Sequence, residues 1–344
     1  MAELRIAVIG AGIIGGTHMA SLEKVEGMSL SAIVDPTDAA AEVAAARGVP
    51  HLRDVEELIA SGLADGAIVA TPNETHVPIG EALLRAGIPA LVEKPVANSI
   101  DEGERLLKTV EETGVPLLVG HHRRHNPMIR AVRAAIDDGS FGRLVTANVI
   151  ATMAKPAFYF DVKWRIAERT GGPLLINMIH EIDMLRFFFG EVAQVTGRVS
   201  NEFRGNPVED IAAAILNFRQ GGIATLTVTD AGCGPWSYDL SSGESPRLPR
   251  HDISAHLYAG TKAGISLPDA SFWTYPGTPD WAVEMQRGKL DFTPADPFPL
   301  QMAHFGAVIR GEEKPRVSCA DGVANMHVIA AIKQSAAEGR PVDL

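Results

Sequence analysis

A glycine-rich turn near the N-terminus constrains the fold of this chain more than any other feature of its sequence. It follows an apolar run, Ile6 to Ile9, and leads into a segment with a helical pattern. A strand, a tight glycine turn and a helix in this order bind the pyrophosphate of a dinucleotide through backbone N–H groups at the helix N-terminus. The residues that we expect to form this turn are Gly10, Gly12, Ile13, Ile14 and Gly15. The alternative is an ordinary strand-to-helix turn.

A carboxylate at the end of the next apolar run, Leu30 to Val34, indicates which dinucleotide is bound. At that position Asp35 would accept hydrogen bonds from the ribose hydroxyls and repel a 2′-phosphate. The sequence therefore predicts NAD rather than NADP. The alternative role for Asp35 is to cap the helix that starts near Thr37.

Short apolar runs alternate with helical patterns over the first part of the chain, which is typical of a doubly wound parallel sheet. Each run is apolar throughout, as expected for a strand covered on both faces. The predicted strands are Ile6 to Ile9, Leu30 to Val34, Ala67 to Val69, Ala90 to Val92 and Leu117 to Val119. We therefore predict an α/β fold with an N-terminal Rossmann domain over residues 1–122.

A different pattern follows, and it predicts a second, α+β domain over residues 123–344. A helix over 127–138 precedes a long strand from Leu144 to Met153, and residues 222–229 alternate between two faces. This alternation indicates a large, mostly antiparallel open sheet. Residues 232–300 are rich in Pro, Gly and Ser, so we expect long loops around short strands there. A last helix over 321–337 is expected to pack back toward the domain interface.

Composition and charge exclude several classes of protein. The 344-residue chain is 46% hydrophobic and 21% charged, which is typical of globular proteins. Its formal net charge of −11 argues against a nucleic-acid partner. No 18-residue apolar run occurs, so no membrane partner is expected. With no visible export signal and only two cysteines, Cys233 and Cys319, we expect a cytoplasmic protein.

Two short motifs follow predicted strands at their carboxyl ends, where ligands bind in such sheets. Thr71, Pro72 and Asn73 are therefore placed to contact the cofactor, unless they form a plain β-turn. Lys94, in Glu93-Lys94-Pro95, would stand beside the nicotinamide. Desolvation and the cationic ring would depress the pKa of this lysine and let it share a proton with a substrate oxygen. The alternative is a surface lysine paired with Glu93.

Further candidates lie in the second domain, where one predicted helix carries three polar side chains. At about 100° per residue, Asn177, His180 and Asp183 lie within about 120° of one helix face. His180 could act as a general base there, or be a satisfied core histidine. Arg123 is a candidate substrate anchor in the run from His121 to His125, whereas Arg124 is expected to be structural. No recognisable ligand spacing accompanies these histidines, so no metal site is predicted.

Taken together, these motifs resemble the glucose-fructose oxidoreductase, inositol dehydrogenase and rhizopine catabolism (Gfo/Idh/MocA) family. The resemblance covers nearly all of the chain. It rests on the glycine turn, on residues 70–76, on Glu93-Lys94-Pro95, and on Gly171-Gly172 leading to His180-Glu181-Ile182-Asp183.

The family resemblance implies roles for particular residues. Lys94 matches the lysine that hydrogen-bonds the reacting oxygen, and His180 matches the catalytic histidine. Substrate contacts are implied for Arg123 and Asp183. Asn177 is a further candidate from its helix face, and Lys155 from its positive charge, unless Lys155 is a solvated residue at a strand end. The cofactor-binding set is extended to His76, Glu93, Lys94 and Arg165. One departure stands out: Ile176 occupies the position of an aspartate in inositol dehydrogenase-like members, so Asn177 replaces it or the proton path runs through Lys94.

The sequence thus predicts an NAD(P)-dependent dehydrogenase acting on a secondary alcohol of a sugar, polyol or related cyclic compound, carboxylated ones included. Two alternatives are an NAD-using glycosidase with transient oxidation and a non-catalytic nucleotide-sensing regulator of the same fold. The expected partners are a small-molecule substrate and a second or further copies of the chain, as a homodimer or homotetramer through the C-terminal sheet.

Overall fold

The computed structural model describes residues 3–344, which divide into two compact units. The first unit runs up to His125 and includes Asp296–Ala324. The second consists of Asn126–Ala295 and Asn325–Leu344.

Within the described residues the chain forms fifteen strands and ten α-helices. The strands are β1 (Leu4–Ile9), β2 (Met28–Val34), β3 (His51–Leu52), β4 (Gly66–Val69), β5 (Ala90–Val92), β6 (Leu117–Val119), β7 (Leu144–Thr152), β8 (Val192–Ser200), β9 (Ile211–Phe218), β10 (Ile223–Thr229), β11 (His256–Gly260), β12 (Ala263–Leu267), β13 (Ser271–Thr274), β14 (Gln286–Lys289) and β15 (Val342–Asp343). The helices are α1 (Ile13–Leu22), α2 (Asp38–Arg47), α3 (Val55–Ser61), α4 (His76–Arg85), α5 (Ile100–Thr113), α6 (Pro127–Asp137), α7 (Ile179–Phe189), α8 (Tyr238–Ser241), α9 (Pro297–Ile309) and α10 (Cys319–Glu338).

The first unit is built on a six-stranded parallel sheet with the order β3-β2-β1-β4-β5-β6. The central strands are buried on both faces, which explains their uninterrupted apolar sequence. The order reverses between β1 and β4, and that reversal marks the ligand-binding crevice of a doubly wound sheet. The predicted Rossmann fold is confirmed. The short edge strand β3 was not among the predicted strands, because no apolar run marks it in the sequence.

A segment remote in sequence completes this unit. Helix α9 packs closely on β4, since a Cβ on Gly66 would lie 2.6 Å from the Ile309 Cδ1 atom. Ser318 also forms an isolated bridge with Leu118 of β6. The sequence predicts a single boundary near residue 122, whereas contacts divide the chain so that Asp296–Ala324 belongs to the first unit.

The second unit contains a nine-stranded sheet with the order β14-β13-β12-β11-β7-β10-β9-β8-β15. All neighbours are antiparallel except β7 and β10, so the predicted mostly antiparallel open sheet is confirmed. Buried side chains of the sheet form one core with residues of α6, α7 and the second half of α10. The other face of β7, β9, β10 and β11 carries exposed side chains.

Over residues 3–344, no helix combines the length and the apolar character that crossing a membrane requires.

Candidate functional site

The three glycines of the first turn have three different geometric roles. Gly10 has φ +97°, and a Cβ there would lie 2.6 Å from the Ala70 carbonyl oxygen. A Cβ on Gly15 would lie 1.9 Å from the Gly10 oxygen, so only glycine lets α1 start against the turn. A Cβ on Gly12 would meet nothing within 4 Å. The turn therefore leaves open space in front of Gly12, at the N-terminus of α1, where a phosphate group fits.

Asp35 ties the end of β2 to this glycine turn. Its carboxylate accepts hydrogen bonds from the Ala11 backbone N–H at 2.9 Å and from the backbone N–H and hydroxyl of Thr37 at 2.9 and 2.6 Å. Burial raises the pKa of Asp35, but these hydrogen bonds outweigh it and hold the pKa below its ordinary value. A charged carboxylate therefore stands next to the turn, and it contacts the start of α2 as well.

The loop after β4 is held by a buried histidine. Thr71 and Asn73 are partly exposed, and Pro72 is exposed. His76 is completely buried, with its two ring nitrogens 2.9 Å from the Thr71 carbonyl oxygen and 2.8 Å from the Pro95 carbonyl oxygen. Burial lowers the pKa of His76 below its usual value. Its ring thus lies between two loops of the site and is shielded from solvent.

Lys94 follows β5 and is partly exposed, whereas its neighbour Glu93 is buried. Glu93 Oε1 lies 2.7 Å from Nε2 of His18, a residue of α1 that the sequence motifs did not single out. The only sequence signal for His18 is a polar side chain among the apolar residues of α1. Its partner is 75 positions away, so spacing along one helix could not reveal the pair.

A widened turn leads into α7 in the second unit. Leu174–Met178 is a π-helix, so the uniform 100° spacing assumed for Asn177 and His180 does not hold over this segment. The Glu209 carboxylate accepts a hydrogen bond from the Leu174 N–H at 3.1 Å. Gly172, at φ +87°, leaves the room for that carboxylate. π-Turns inside helices often occur at functional sites.

Lys155 and Asn177 form a polar pair at this turn. The Lys155 Nζ atom donates to the Asn177 Oδ1 atom at 2.8 Å and lies 3.8 Å from Asp230. Arg204 also donates to Asp230, at 2.8 Å. Burial raises the pKa of Asp230, although Lys155 and Arg204 oppose that effect. The amide at position 177 therefore faces a buried cation, and the structure brings together two of the predicted substrate-binding residues.

His180 and Asp183 occupy the next turn of α7, and both are buried. Asp183 accepts a hydrogen bond from Asn325 of α10 at 2.8 Å. Asn325 in turn accepts one from Arg186 at 2.7 Å, and Arg186 pairs with Glu191. The Asp183 carboxylate is thus part of a polar network inside the second unit.

The remaining predicted residues lie in two further environments. Arg165 donates to the Tyr159 carbonyl oxygen at 2.9 Å, and its guanidinium lies 4.0 Å from the centre of the Tyr159 ring. Arg123 is buried in the first unit. Arg124 forms an ion pair with Asp321 at 3.3 Å, a contact within the fold that agrees with a structural role.

The arrangement in the first unit fits a dinucleotide. Open space at a helix N-terminus suits the pyrophosphate, and an ionised carboxylate at the end of the neighbouring strand suits ribose hydroxyls. Gly12, Asp35, Thr71 and Asn73 would hold such a group. Among residues 3–344, no cluster of three or more His, Cys, Asp or Glu side chains could hold a metal ion. The fold and these groups define a dinucleotide-binding protein.

Comparison with known proteins identifies the family. Residues 4–121 match the model of the Gfo/Idh/MocA oxidoreductase family, NAD-binding Rossmann fold, and residues 133–344 match that of its C-terminal alpha/beta domain. The chain belongs to this family of NAD-binding oxidoreductases.

Individual proteins are similar over the whole length. Inositol 2-dehydrogenase of Rhizobium meliloti (strain 1021) is 28% identical over 348 residues, covering 99% of both chains. The crystal structure of an oxidoreductase from Agrobacterium radiobacter in complex with NAD+, L-tartaric acid and magnesium has a TM-score of 0.83 at 22% identity, covering 99% of this chain and 98% of the other. The WlbA dehydrogenase from Bordetella pertussis, in complex with NADH and UDP-GlcNAcA, has a TM-score of 0.80 at 23% identity, covering 99% of each chain. At these identities the two structures support the fold.

Proposed function

We propose that this protein is an NAD-dependent dehydrogenase that oxidises a secondary alcohol of a sugar, a polyol or a related cyclic compound. The observation that carries the proposal is the position of Lys94. It follows β5, at the same edge of the parallel sheet as the glycine turn and Asp35. A lysine is a suitable hydrogen-bond donor to an oxygen that gains negative charge. The similarity to inositol 2-dehydrogenase supports a polyol-type substrate.

We assign separate roles to the two catalytic candidates. NAD supplies the acceptor for the hydride when it is bound. Lys94 donates a hydrogen bond to the reacting oxygen, and His180 accepts the hydroxyl proton on an imidazole nitrogen. His76 contributes by holding the loops of Thr71 and Pro95 in place, because its buried ring contacts carbonyl oxygens of both.

The Lys155–Asn177 pair takes the place of the aspartate that Ile176 replaces. An amide cannot accept a proton from histidine, but it can fix the orientation of a polar neighbour. Lys155 and Arg204 provide positive charge in this region, and Asp230 offsets part of it. We therefore propose that Lys155 and Asn177 orient substrate hydroxyls or a substrate carboxylate. Arg165 is a further cation of the same unit. Arg123 and Asp183 are proposed to make additional contacts with the substrate.

The test is a panel of inositols, aldoses, aldonates and cyclic polyols incubated with NAD, followed through net NADH formation. We expect one class to be oxidised. Lys94→Met and His180→Asn should each lower kcat by about 100-fold, within the range for loss of acid–base or oxyanion assistance. The matched controls are exposed residues, Lys108→Met and His251→Asn, which should retain activity.

Three results would contradict this assignment. Turnover of the preferred substrate by Lys94→Met within twofold of wild type would remove the assigned role of that lysine. A cleaved glycoside without net NADH would indicate the glycosidase reaction. NADH binding without turnover of any compound in the panel would indicate a nucleotide sensor.

We further propose that a second copy of the chain covers the outer face of the large sheet. This face presents Ile150, Ile215, Ile223 and Leu257, which are 38–53% exposed and lie on the four neighbouring strands β7, β9, β10 and β11, with polar residues such as Asn148 and Thr225 between them. Several large apolar side chains exposed on one face of a sheet are typical of an interface, where polar residues between them can pair across it. The self-association is tested by analytical ultracentrifugation of Ile215→Lys, which should shift the protein toward monomer, with Val283→Lys as the exposed control outside the sheet. A wild-type protein that sediments as a monomer at micromolar concentration would contradict it.

A further inference from the structure

A buried acid–histidine pair lies directly behind Lys94. Glu93 is 5% exposed and His18 is fully buried, and their Oε1 and Nε2 atoms are 2.7 Å apart. The second oxygen of the same carboxylate accepts the backbone N–H of Lys94 at 3.2 Å. The Glu93 side chain therefore connects α1 to the main chain of the proposed catalytic lysine.

The surroundings make room for this carboxylate and cover it. A Cβ on Gly120 would lie 2.7 Å from both the Cδ and the Oε1 atoms of Glu93, so glycine leaves the space that the carboxylate occupies. Phe298 of α9 contacts the edge of the His18 ring, with centroids 5.8 Å apart, and stacks on His122 at 4.4 Å. Residues after β6 and in α9 thus pack around one ionisable pair, whose own members come from α1 and the end of β5.

Glu93 is charged despite its burial. Burial raises its pKa, but the hydrogen bond from His18 and the charges of His18, Lys94 and His122 together hold that pKa below the ordinary value. His76 also interacts electrostatically with Glu93. A carboxylate in a region of low dielectric acts on a nearby ammonium group more strongly than one in water does.

We propose that Glu93 and His18 are positioning residues for Lys94: the carboxylate fixes the lysine main chain and favours its protonated form, and His18 holds the carboxylate in place. This rests on the proposed function, in which Lys94 donates to the reacting oxygen. Partial burial and a cationic nicotinamide both favour the neutral amine, so a fixed negative charge nearby keeps the lysine protonated and hence the stronger donor. No proton leaves Glu93 in this role.

The direct test measures the titration of Lys94 without any substrate. Competitive labelling with a trace of acetic anhydride at pH 6–11, read by mass spectrometry of the peptide that contains Lys94, gives its titration midpoint in the full-length protein. In Glu93→Gln, which preserves shape and removes the charge, we expect the midpoint to fall by about one pH unit. Asp38→Asn removes an exposed carboxylate of the same unit and should leave it unchanged.

Two further variants cover the case in which Glu93→Gln fails to fold. Gly120→Ala should displace the carboxylate and lower the midpoint in the same direction, because its Cβ would occupy the oxygen position. His18→Leu should lower kcat about tenfold or more while the NADH dissociation constant, read by fluorescence, stays within twofold. His18→Gln, which retains a donor, should recover most of that loss.

The outcomes separate this inference from the proposed function. An unchanged Lys94 midpoint in whichever of Glu93→Gln and Gly120→Ala folds would overturn the inference, whatever the activity. An equal loss of NADH affinity and kcat in His18→Leu, without recovery in His18→Gln, would assign His18 a merely structural role. Absence of turnover in the wild type would contradict the proposed function and leave the labelling result to decide on Glu93.

Discussion

At the scale of single residues, we propose that Asp35 determines the preference for NAD over NADP. Its carboxylate is fixed from two directions, by Ala11 of the glycine turn and by Thr37 at the start of α2. The hydrogen bonds that fix it also lower its pKa, so it is ionised at neutral pH. A fixed anion at this position favours ribose hydroxyls and repels a phosphate on the same ribose.

Replacement of this carboxylate should relax the preference for NAD. In Asp35→Ser we expect the dissociation constant for NADH to rise about tenfold, as for loss of a hydrogen bond to a charged group, and that for NADPH to fall. Titration of cofactor fluorescence measures both. Asp38→Asn is the control, since its carboxylate is exposed and only paired with Arg53 at the surface. An unchanged ratio of the two constants in Asp35→Ser would show that other residues choose the cofactor.

Some residues of the site could be predicted from the sequence and others could not, for a physical reason. Gly10 and Gly15 act through backbone geometry and Asp35 through a carboxylate at the end of a strand, all within a local motif, so their spacing is informative. His18 and Glu93 contact each other, and no local sequence pattern indicates a contact between α1 and the end of β5. His76 was predicted to bind cofactor because of its motif, whereas its burial between two carbonyl groups follows only from the packed structure.

At the scale of elements, α7 depends on its polar link to α10. Asn325 donates to the buried Asp183 and accepts from the buried Arg186, so one amide bridges two charged groups. The helical pattern of residues 321–337 predicted α10 within two residues. It could not predict this amide bridge, because the partners are 142 and 139 positions apart. The sequence did not predict the π-turn before α7 either, because helical periodicity assumes one fixed angle per residue.

Removal of the bridging amide should destabilise the second unit. Asn325→Ala removes one hydrogen bond from each of two buried charged side chains, Asp183 and Arg186, which costs about 2–4 kcal/mol of unfolding free energy. Urea unfolding monitored by circular dichroism measures the loss. Asn201→Ala removes an exposed amide that donates only to the Asn206 carbonyl oxygen, and it should change the free energy by less than about 0.5 kcal/mol. A loss below 1 kcal/mol in Asn325→Ala, roughly the value of one ordinary hydrogen bond, would contradict this role.

At the scale of the molecule, the chain order of the two units differs from the simplest expectation. Apolar runs predicted the parallel sheet and the alternation over residues 222–229 predicted the antiparallel one, because each strand has its own pattern of burial. The sequence did not predict that Asp296–Ala324 belongs to the first unit. The apolar pattern of helix α9 indicates that one face is buried, but not which unit buries it. The formal net charge of −11 is a property of the whole chain, whereas single carboxylates such as Glu93 and Asp35 act on the groups next to them.

The stability of the protein should fall on mild acidification. Because burial lowers the pKa of His76, the unfolded chain takes up a proton near pH 6.5 that the folded chain does not bind. Stability is therefore full above about pH 6.5 and decreases below it, by up to about 1.4 kcal/mol per pH unit from this group. Urea unfolding at pH 5–8 should give a flatter profile in His76→Gln than in wild type. In the exposed control His251→Gln the profile should keep its slope, and equal slopes in wild type and His76→Gln would contradict this assignment.

The central claim, oxidation of a carbon that bears a hydroxyl group with NAD as the acceptor, is tested most directly with deuterium. Once the panel identifies a substrate, the compound is prepared with deuterium on the reacting carbon and incubated with the protein and NAD. We predict that mass spectrometry finds one deuterium in the reduced cofactor for each molecule of ketone formed. Product formed without deuterium in the cofactor, or reduced cofactor without a ketone, would contradict the account.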